Sequence, residues 1–139
     1  MLTKGMFTSN TDNWATPQEF FDKLNAMFAF ELDVCASTDN AKCKRFYSKA
    51  DNGLTQTWSS RNWMNPPYGR EISAWVQKAD SEAHKGKLTV ALLPARTDTR
   101  WFQTYCKKWH CQFIAGRLKF GGGGSAPFPS VVVYFGIER

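Results

Sequence analysis

The sequence predicts an α/β fold, with a mostly parallel sheet covered by helices and an antiparallel hairpin at the C-terminal end. Amphipathic segments of helical spacing alternate with short apolar segments of strand length, which is typical of parallel strands joined by crossover helices. No helical pattern separates the last two strands, so we expect them to pair as an antiparallel hairpin at one edge of the sheet. The length of 139 residues suits one minimal domain spanning residues 1–139.

An irregular arm, residues 1–15, precedes the first predicted helix. Thr16 is expected to be its N-cap and Pro17 its first helical residue, since a hydroxyl cap and an early proline are both favoured at helix starts. The apolar residues that follow recur at the spacing of one helix face. They are Phe20, Phe21, Leu24, Met27 and Phe28.

Five strands and two more helices are predicted along the rest of the chain. Alternating or continuous apolar residues place the strands at residues 30–34, 61–64, 88–93, 111–114 and 130–135. One helix is expected between residues 69 and 86, and another from Trp101 onward. Residues 45–47 form a weaker strand candidate, and Asp51-Asn52-Gly53 is a turn signal.

The charge of the chain favours a polyanionic partner. Eighteen Lys and Arg residues against twelve Asp and Glu residues give a net charge of +6 and an isoelectric point near 9.3, a balance that fits nucleic acid binding. The four cysteines include no C-x-x-C pair, so we predict free thiols and no metal site. The sequence shows no signal peptide or membrane-spanning stretch, and we expect a cytoplasmic location without a membrane partner.

The segment Asn65-Pro66-Pro67-Tyr68 follows an apolar run and is predicted to be a rigid turn at the end of a buried strand. The Asn65 side-chain oxygen and the Pro66 carbonyl are two acceptors that suit the two N–H bonds of an exocyclic amino group. Tyr68 offers a ring on which a nucleobase can stack. Such a site activates the amino group by positioning and electrostatics rather than by a strong base. The alternative interpretation is a turn in which the prolines only end the strand.

Candidate ligand contacts lie near two other turns. Asp33 is predicted at the carboxyl end of the first strand, where open α/β sheets bind ligands, and the small residues Cys35 and Ala36 after it allow close approach to the backbone. The alternative for Asp33 is a cap for the next helix or an exposed strand residue. Asp51 is interpreted either as a contact to a cofactor ribose or base, or as a residue that only forms its turn.

Candidate nucleic acid contacts are cations in predicted loops. Arg96 and Arg100 belong to a polar loop after a buried strand and are placed to contact phosphates; the alternative is a solvated loop. Arg70 opens a helix beside the central turn. Arg117 and Lys119 precede the glycine segment 121–124, which is predicted to be a mobile loop that closes over a polynucleotide. The alternative is a flexible hairpin connection without a binding role.

Taken in this order, the motifs resemble the phage-encoded DNA N6-adenine methyltransferases of the Dam type. The matching segments are Trp14-Ala15-Thr16-Pro17, Leu32-Asp33-Val34-Cys35-Ala36, Asp51-Asn52-Gly53-Leu54, Asn65-Pro66-Pro67-Tyr68-Gly69, Leu92-Leu93-Pro94-Ala95-Arg96-Thr97-Asp98-Thr99, Gly116-Arg117-Leu118-Lys119-Phe120 and Ala126-Pro127-Phe128-Pro129-Ser130.

The resemblance implies a Rossmann-like class I methyltransferase that uses S-adenosyl-L-methionine to methylate N6 of adenine in DNA. Residues 65–68, namely Asn65, Pro66, Pro67 and Tyr68, would hold the target base, which must leave the stack if the DNA is double-stranded. Residues 14–17, with Trp14, Thr16 and Pro17, would contact the methionine end of the cofactor, and Asp33 its amino group or ribose. A phage enzyme would work in the host cytoplasm and protect phage DNA from restriction.

The chain departs from the family pattern in one respect. The usual glycine-rich cofactor loop is missing, and Cys35-Ala36-Ser37 stands in its place. Three alternatives therefore stay open at this stage: a methyltransferase that acts on RNA or on protein glutamine, a DNA-binding module of the same fold without catalysis, and an accessory interaction protein. Neither the recognition sequence nor the oligomeric state is predicted.

Overall fold

The computed structural model describes residues 14–120 and 125–139. Most of the predicted N-terminal arm and the four-glycine loop 121–124 lie outside these residues. The described part of the chain is an α/β unit with one five-stranded mixed sheet. Its strands are β1 (Leu32–Asp33), β2 (Arg61–Met64), β3 (Leu88–Pro94), β4 (Trp109–Phe113) and β5 (Ser130–Glu138).

The strand order is β1-β2-β3-β5-β4. The β1–β2 and β2–β3 pairs are parallel, whereas β5 is antiparallel to both β3 and β4. Four strands therefore point the same way. The last two strands pair antiparallel as expected, but the antiparallel strand, β5, lies inside the sheet and β4 forms the edge. The reason is burial: residues 130–135 of β5 are all buried, whereas β4 exposes His110, Gln112 and Phe113.

Two helices cover the sheet, α1 (Gln18–Phe28) and α2 (Ile72–His84). The predicted start of α1 is wrong by one residue, because Pro17 occupies the N-cap position with extended backbone and no side chain caps the helix. Thr16 does not cap α1 because its hydroxyl accepts a hydrogen bond from Asn65 instead. The helix predicted from Trp101 onward is a single π-helical turn, Phe102–Cys106.

The core consists of two apolar layers, one on each face of the sheet. Val90 and Leu92 of β3 face the layer that holds Phe21 and Leu24 of α1. Ala91 and Leu93, the alternating residues of the same strand, belong to the layer packed against α2. This alternation follows from the two-residue period of a strand, and it explains why the continuous apolar run of β3 was predicted correctly as a strand buried on both faces.

β1 is much shorter than predicted, and the chain turns away from the sheet after Asp33. The carboxylate of Asp33 accepts hydrogen bonds from the backbone N–H groups of Cys35 and Lys42, which folds the following segment back over the strand end. The weak strand candidate at residues 45–47 forms only an isolated parallel bridge between Phe46 and Asp33. This bridge brings the next turn, residues 48–53, to the same edge of the sheet.

Candidate active site

A cleft of about 620 Å³ opens at the carboxyl ends of β1 and β2. Its size and its place in an open α/β sheet are those of a small-molecule binding site. Eight of the predicted site residues line it: Trp14, Thr16, Asp33, Cys35, Ala36, Asn65, Pro66 and Pro67. The sequence motifs from three separate parts of the chain therefore meet in one cavity.

Asn65 lies at the centre of this cleft with its amide held in one orientation. Its Nδ2 donates to the Trp14 carbonyl at 2.5 Å and to Thr16 Oγ1 at 2.8 Å. A carbonyl can only accept a hydrogen bond, so the atom that faces Trp14 must be the amide nitrogen. Within the described residues, the buried Oδ1 of Asn65 has no hydrogen-bond donor. A buried acceptor without a partner is costly, and because Asn65 lines the cleft, a bound ligand is one source of the missing donor.

The two prolines complete the rigid turn after β2. Pro66 and Pro67 both line the cleft, and neither has a backbone N–H that could occupy a neighbouring acceptor. In the described part of the chain, the Pro66 carbonyl accepts no hydrogen bond. The turn thus leaves a second acceptor available close in sequence to Asn65 Oδ1.

Tyr68, the fourth residue of the turn, is buried and does not line the cleft. Its hydroxyl donates to the Leu92 carbonyl at 3.0 Å, and burial raises the pKa of the phenol far above its usual value. The ring contacts Phe128 and Phe120 edge-on, with centroid distances of 5.6 and 6.5 Å. The role of Tyr68 as a stacking platform stays a prediction, and it requires these aromatic rings to move.

Asp33 is only 2% exposed, yet it lines the cleft. Burial raises the pKa of its carboxyl to about 6, against the opposing effect of the Lys42 and Cys35 backbone N–H groups. The neighbouring Cys35 thiol also lines the cleft, and burial raises its pKa to about 12. The cleft therefore contains one carboxyl that titrates near neutrality and one thiol that stays protonated.

Two predicted cofactor contacts lie outside the cleft lining. Pro17 is one of them. Asp51 is the other, because its carboxylate accepts hydrogen bonds from the backbone N–H and hydroxyl of Ser48 and closes a turn. Of the two interpretations of Asp51, the structure shows the turn-forming one, and a contact to cofactor stays a prediction. The next residues, Asn52 and Gly53, line the cleft instead.

Sequence reasoning missed a group of polar and aromatic cleft residues. They are Ser37, Asn40, Lys42, Tyr47, Ser48, Lys49, Asn52, Gly53, Trp63, Glu71 and Trp75. Most of them belong to the segment between β1 and β2. The weak strand signal at residues 45–47 and the turn at Asp51 were the hints that this segment returns to the sheet. Trp75 adds a second unpaired polar atom, because its buried indole Nε1 has no acceptor among the described residues.

The predicted nucleic acid contacts are exposed cations at the same edge of the sheet. Arg70 follows β2, Arg96 and Arg100 follow β3, and Arg117 and Lys119 lie in the segment that leads into β5. Because β5 runs antiparallel to β3, with Ser130 opposite Pro94, these segments converge where β2 and β3 end. None of the five cations forms an ion pair with another described residue.

The side chains that could ligate a metal are dispersed over the described part of the chain. Within residues 14–120 and 125–139, no three His, Cys, Asp or Glu side chains are grouped to hold a metal ion. The helices of this part of the chain are too short or too polar for any of them to cross a membrane.

Comparison with known proteins identifies relatives that are all named as methyltransferases. A DNA N-6-adenine-methyltransferase of Escherichia phage T1 is 36% identical over 94 residues, which are 66% of this chain and 39% of that protein. A protein of the same name from Haemophilus phage HP1 (strain HP1c1) is 36% identical over 106 residues, 73% of this chain and 61% of the relative. The putative methyltransferase YfdM of Escherichia coli (strain K12) is 40% identical over 65 residues, 41% of this chain and 71% of that protein.

The chain thus spans 39% and 61% of the lengths of the two phage relatives. The sequence model of one family, DNA N-6-adenine-methyltransferase (Dam), matches residues 5–130. This match covers all of the segments on which the resemblance was based, and it confirms the predicted family. The chain belongs to the DNA N-6-adenine-methyltransferase (Dam) family.

Proposed function

We propose that this chain is a methyltransferase that transfers a methyl group from S-adenosyl-L-methionine to N6 of adenine in DNA. The observation that carries the proposal is the unpaired, buried Oδ1 of Asn65 at the end of β2, fixed in place by the hydrogen bonds of the same amide. The printed names of the phage relatives support adenine in DNA as the acceptor. The mixed sheet and its carboxyl-edge cleft support a Rossmann-like class I fold, with residues 1–139 as one domain and residues 1–15 as its arm.

The lining of the cleft fits the chemical groups of S-adenosyl-L-methionine. This cofactor supplies an activated methyl group on a sulfonium centre, and it carries an ammonium group, a carboxylate, ribose hydroxyls and an adenine ring. The Asp33 carboxylate suits the ammonium group or the ribose, and Lys42 and Lys49 suit the carboxylate. The unpaired Trp75 Nε1 and Asn65 Oδ1 give the cleft one donor and one acceptor that lack partners among the described residues.

In this proposal, the loop Cys35-Ala36-Ser37 binds the cofactor without the usual glycines. The Asp33 carboxylate binds the N–H groups of Cys35 and Lys42, so a side chain holds the loop in shape. Cys35, Ala36 and Ser37 are small and line the cleft, which allows a ligand to approach their backbone. With Trp14, whose carbonyl binds the central turn, these residues would hold the cofactor.

The target adenine would be held by the two acceptors of the central turn. Asn65 Oδ1 and the Pro66 carbonyl would each accept one N–H of the amino group, which would leave the nitrogen lone pair free to take the methyl group. S-adenosylhomocysteine would leave as the methyl–sulfur bond breaks, and the surplus amino proton would pass to solvent. The rate then comes from positioning and electrostatics, and no strong general base is required. In duplex DNA the base must leave the stack, and it can reach the face of Tyr68 only if Phe128 and Phe120 move aside.

The exposed cations at the carboxyl edge would bind the DNA backbone. Arg70, Arg96, Arg100, Arg117 and Lys119 surround the ends of β2 and β3 without competing ion pairs among the described residues. Contacts of this kind position a duplex but do not read its sequence. We place the protein in the cytoplasm, where its DNA substrate is found, which is the host cytoplasm if the gene belongs to a phage.

Transfer of labelled methyl groups tests the proposal. Wild-type protein incubated with labelled S-adenosyl-L-methionine and unmethylated DNA should produce N6-methyladenine on nucleoside analysis. Asn65→Ala should abolish the product while circular dichroism shows an intact fold. Asn25→Ala is the matched control, since Asn25 only caps the end of α1 and its loss should leave most of the activity. Label in RNA or protein but not in DNA would refute the proposed acceptor.

A further inference from the structure

We infer that Thr16 is a positioning residue that holds the Asn65 amide in the orientation fixed by the Trp14 carbonyl, and this inference rests on the proposed function. Thr16 lies 49 residues before Asn65, is only 5% exposed, and receives the Asn65 Nδ2 hydrogen bond at 2.8 Å. It therefore acts through Asn65, whereas the sequence alone had suggested a helix cap or a contact to cofactor.

The orientation matters because the two ends of an asparagine amide have nearly the same shape and opposite hydrogen-bonding character. With Nδ2 directed at Trp14 and Thr16, Oδ1 is the end of the amide without a partner among the described residues, and it can accept from an amino group. In the flipped amide, the NH₂ group would face the amino group of the base, and the oxygen would face the Trp14 carbonyl. Both contacts would then be repulsive. Because the Thr16 hydroxyl can donate as well as accept, the Trp14 carbonyl selects the orientation, and the hydrogen bond to Thr16 holds the amide in it.

The segment that carries Thr16 is anchored independently of its hydroxyl. The Trp14 ring packs edge-on against Phe128 and Phe120, with centroid distances of 5.1 and 5.5 Å. On the other side, Pro17 leads directly into α1. Removing the hydroxyl while keeping the side-chain shape should therefore leave the backbone in place and change only the amide contact.

The kinetic test compares Thr16→Val, which has the same shape without the hydroxyl, with Thr16→Ser, which keeps the hydroxyl. In Thr16→Val, kcat for methyl transfer should fall about tenfold, near the upper value for one net hydrogen bond. The KM for DNA and the Kd for S-adenosylhomocysteine should stay within about twofold. Thr16→Ser should recover most of the rate.

An activity-independent readout follows the side-chain NH₂ signals of Asn65 by NMR, assigned by their loss in Asn65→Ala. Their exchange with solvent should be slow in the wild type and in Thr16→Ser, and clearly faster in Thr16→Val. Equal exchange in all three proteins would overturn the inference, as would wild-type kcat in Thr16→Val. A rise in the Kd for S-adenosylhomocysteine that matches the fall in kcat would instead make Thr16 a cofactor contact. Absence of methyl transfer by the wild type would refute the proposed function itself.

Discussion

Asp33 is the residue most sensitive to pH in the cleft, because burial raises the pKa of its carboxyl to about 6. The ionised form, which can attract the ammonium group of the cofactor, is lost as the pH falls through this value. We therefore expect the affinity for S-adenosyl-L-methionine to be constant above about pH 7 and to decrease by up to tenfold per pH unit below about pH 6. Titration calorimetry across this range measures the effect.

Asp33→Asn is the control for this prediction, since it removes the titrating group and should give weak binding that hardly depends on pH. A wild-type profile that is equally flat would contradict the role of the carboxylate. The raised pKa also affects stability. The contribution of protonated Asp33 is fully present below the ordinary pKa of 3.8 and is lost as the pH rises through about 6.

Two substitutions at Tyr68 test its hydroxyl and its ring separately. Tyr68→Phe removes the hydrogen bond to the Leu92 carbonyl and should lower the free energy of unfolding by about 1 kcal/mol. The ring on which a base would stack is retained, so methyl transfer should persist, whereas Tyr68→Ala should lose it. Urea unfolding and the transfer assay measure the two effects. A large loss of rate in Tyr68→Phe would show that the hydroxyl takes part in the reaction.

The sequence predicted the central turn and Asp33 because their positions follow from local signals, namely a strand end and a proline pair. It could not decide the roles of Asp51 and Thr16, because such side chains often form a turn or cap a helix and also often bind a ligand. Asp51 forms its own turn, and Thr16, expected to cap a helix, binds an amide 49 residues away. The contacts of the folded chain decide between such uses, and no local pattern contains them.

At the scale of the elements, the turn 48–53 forms a wall of the cleft that cannot accept a side chain at Gly53. A Cβ atom at this position would lie 2.2 Å from the Val34 carbonyl oxygen. Gly53→Ala should therefore displace the turn from β1, lower the free energy of unfolding by about 1–3 kcal/mol, and weaken cofactor binding at least tenfold. Chemical denaturation and titration calorimetry measure the two losses.

Gly86→Ala is the matched control for Gly53→Ala. Gly86 follows α2 with a φ angle of +88°, and a Cβ atom there would have no neighbour within 4 Å among the described residues. Alanine should therefore cost only about 1–2 kcal/mol, through backbone strain. Because Gly86 is not part of the cleft lining, its substitution should leave the affinity for cofactor unchanged. Equal affinities in both variants would show that the Gly53 wall does not shape the cofactor site.

Element types were easier to predict than their arrangement. The period of apolar residues identified all five strands, but their starts shifted by up to two residues, as for β1, and their ends by up to three, as for β5. The position of β5 inside the sheet depends on its pairing with both β3 and β4. This pairing is decided by the burial of the whole strand, and the spacing between consecutive elements gave no sign of it.

For the whole molecule, the position of the Arg and Lys side chains that are unpaired among the described residues says more about DNA binding than the net charge of +6 does. Replacing Arg96 and Arg100 by Gln should weaken DNA binding and reduce the slope of log affinity against log salt concentration by about 1–2. The control replaces Lys85 and Lys107, which precede β3 and β4 at the opposite edge of the sheet. Both double variants lose two positive charges. Equal effects on the slope would therefore show that DNA binding depends on the net charge and not on the cations at the carboxyl ends of β2 and β3.

The position of β5 also has a consequence for how the protein is made. β5 is the last of the described strands to leave the ribosome, yet it pairs with β3 on one side and β4 on the other. Until it emerges, β3 offers an unpaired backbone edge and uncovered apolar side chains, which is the kind of surface that associates with other chains. The two halves of the sheet can join only when synthesis reaches residues 130–138. We therefore expect nascent chains that stop before β5 to depend on chaperones and to have no cofactor affinity.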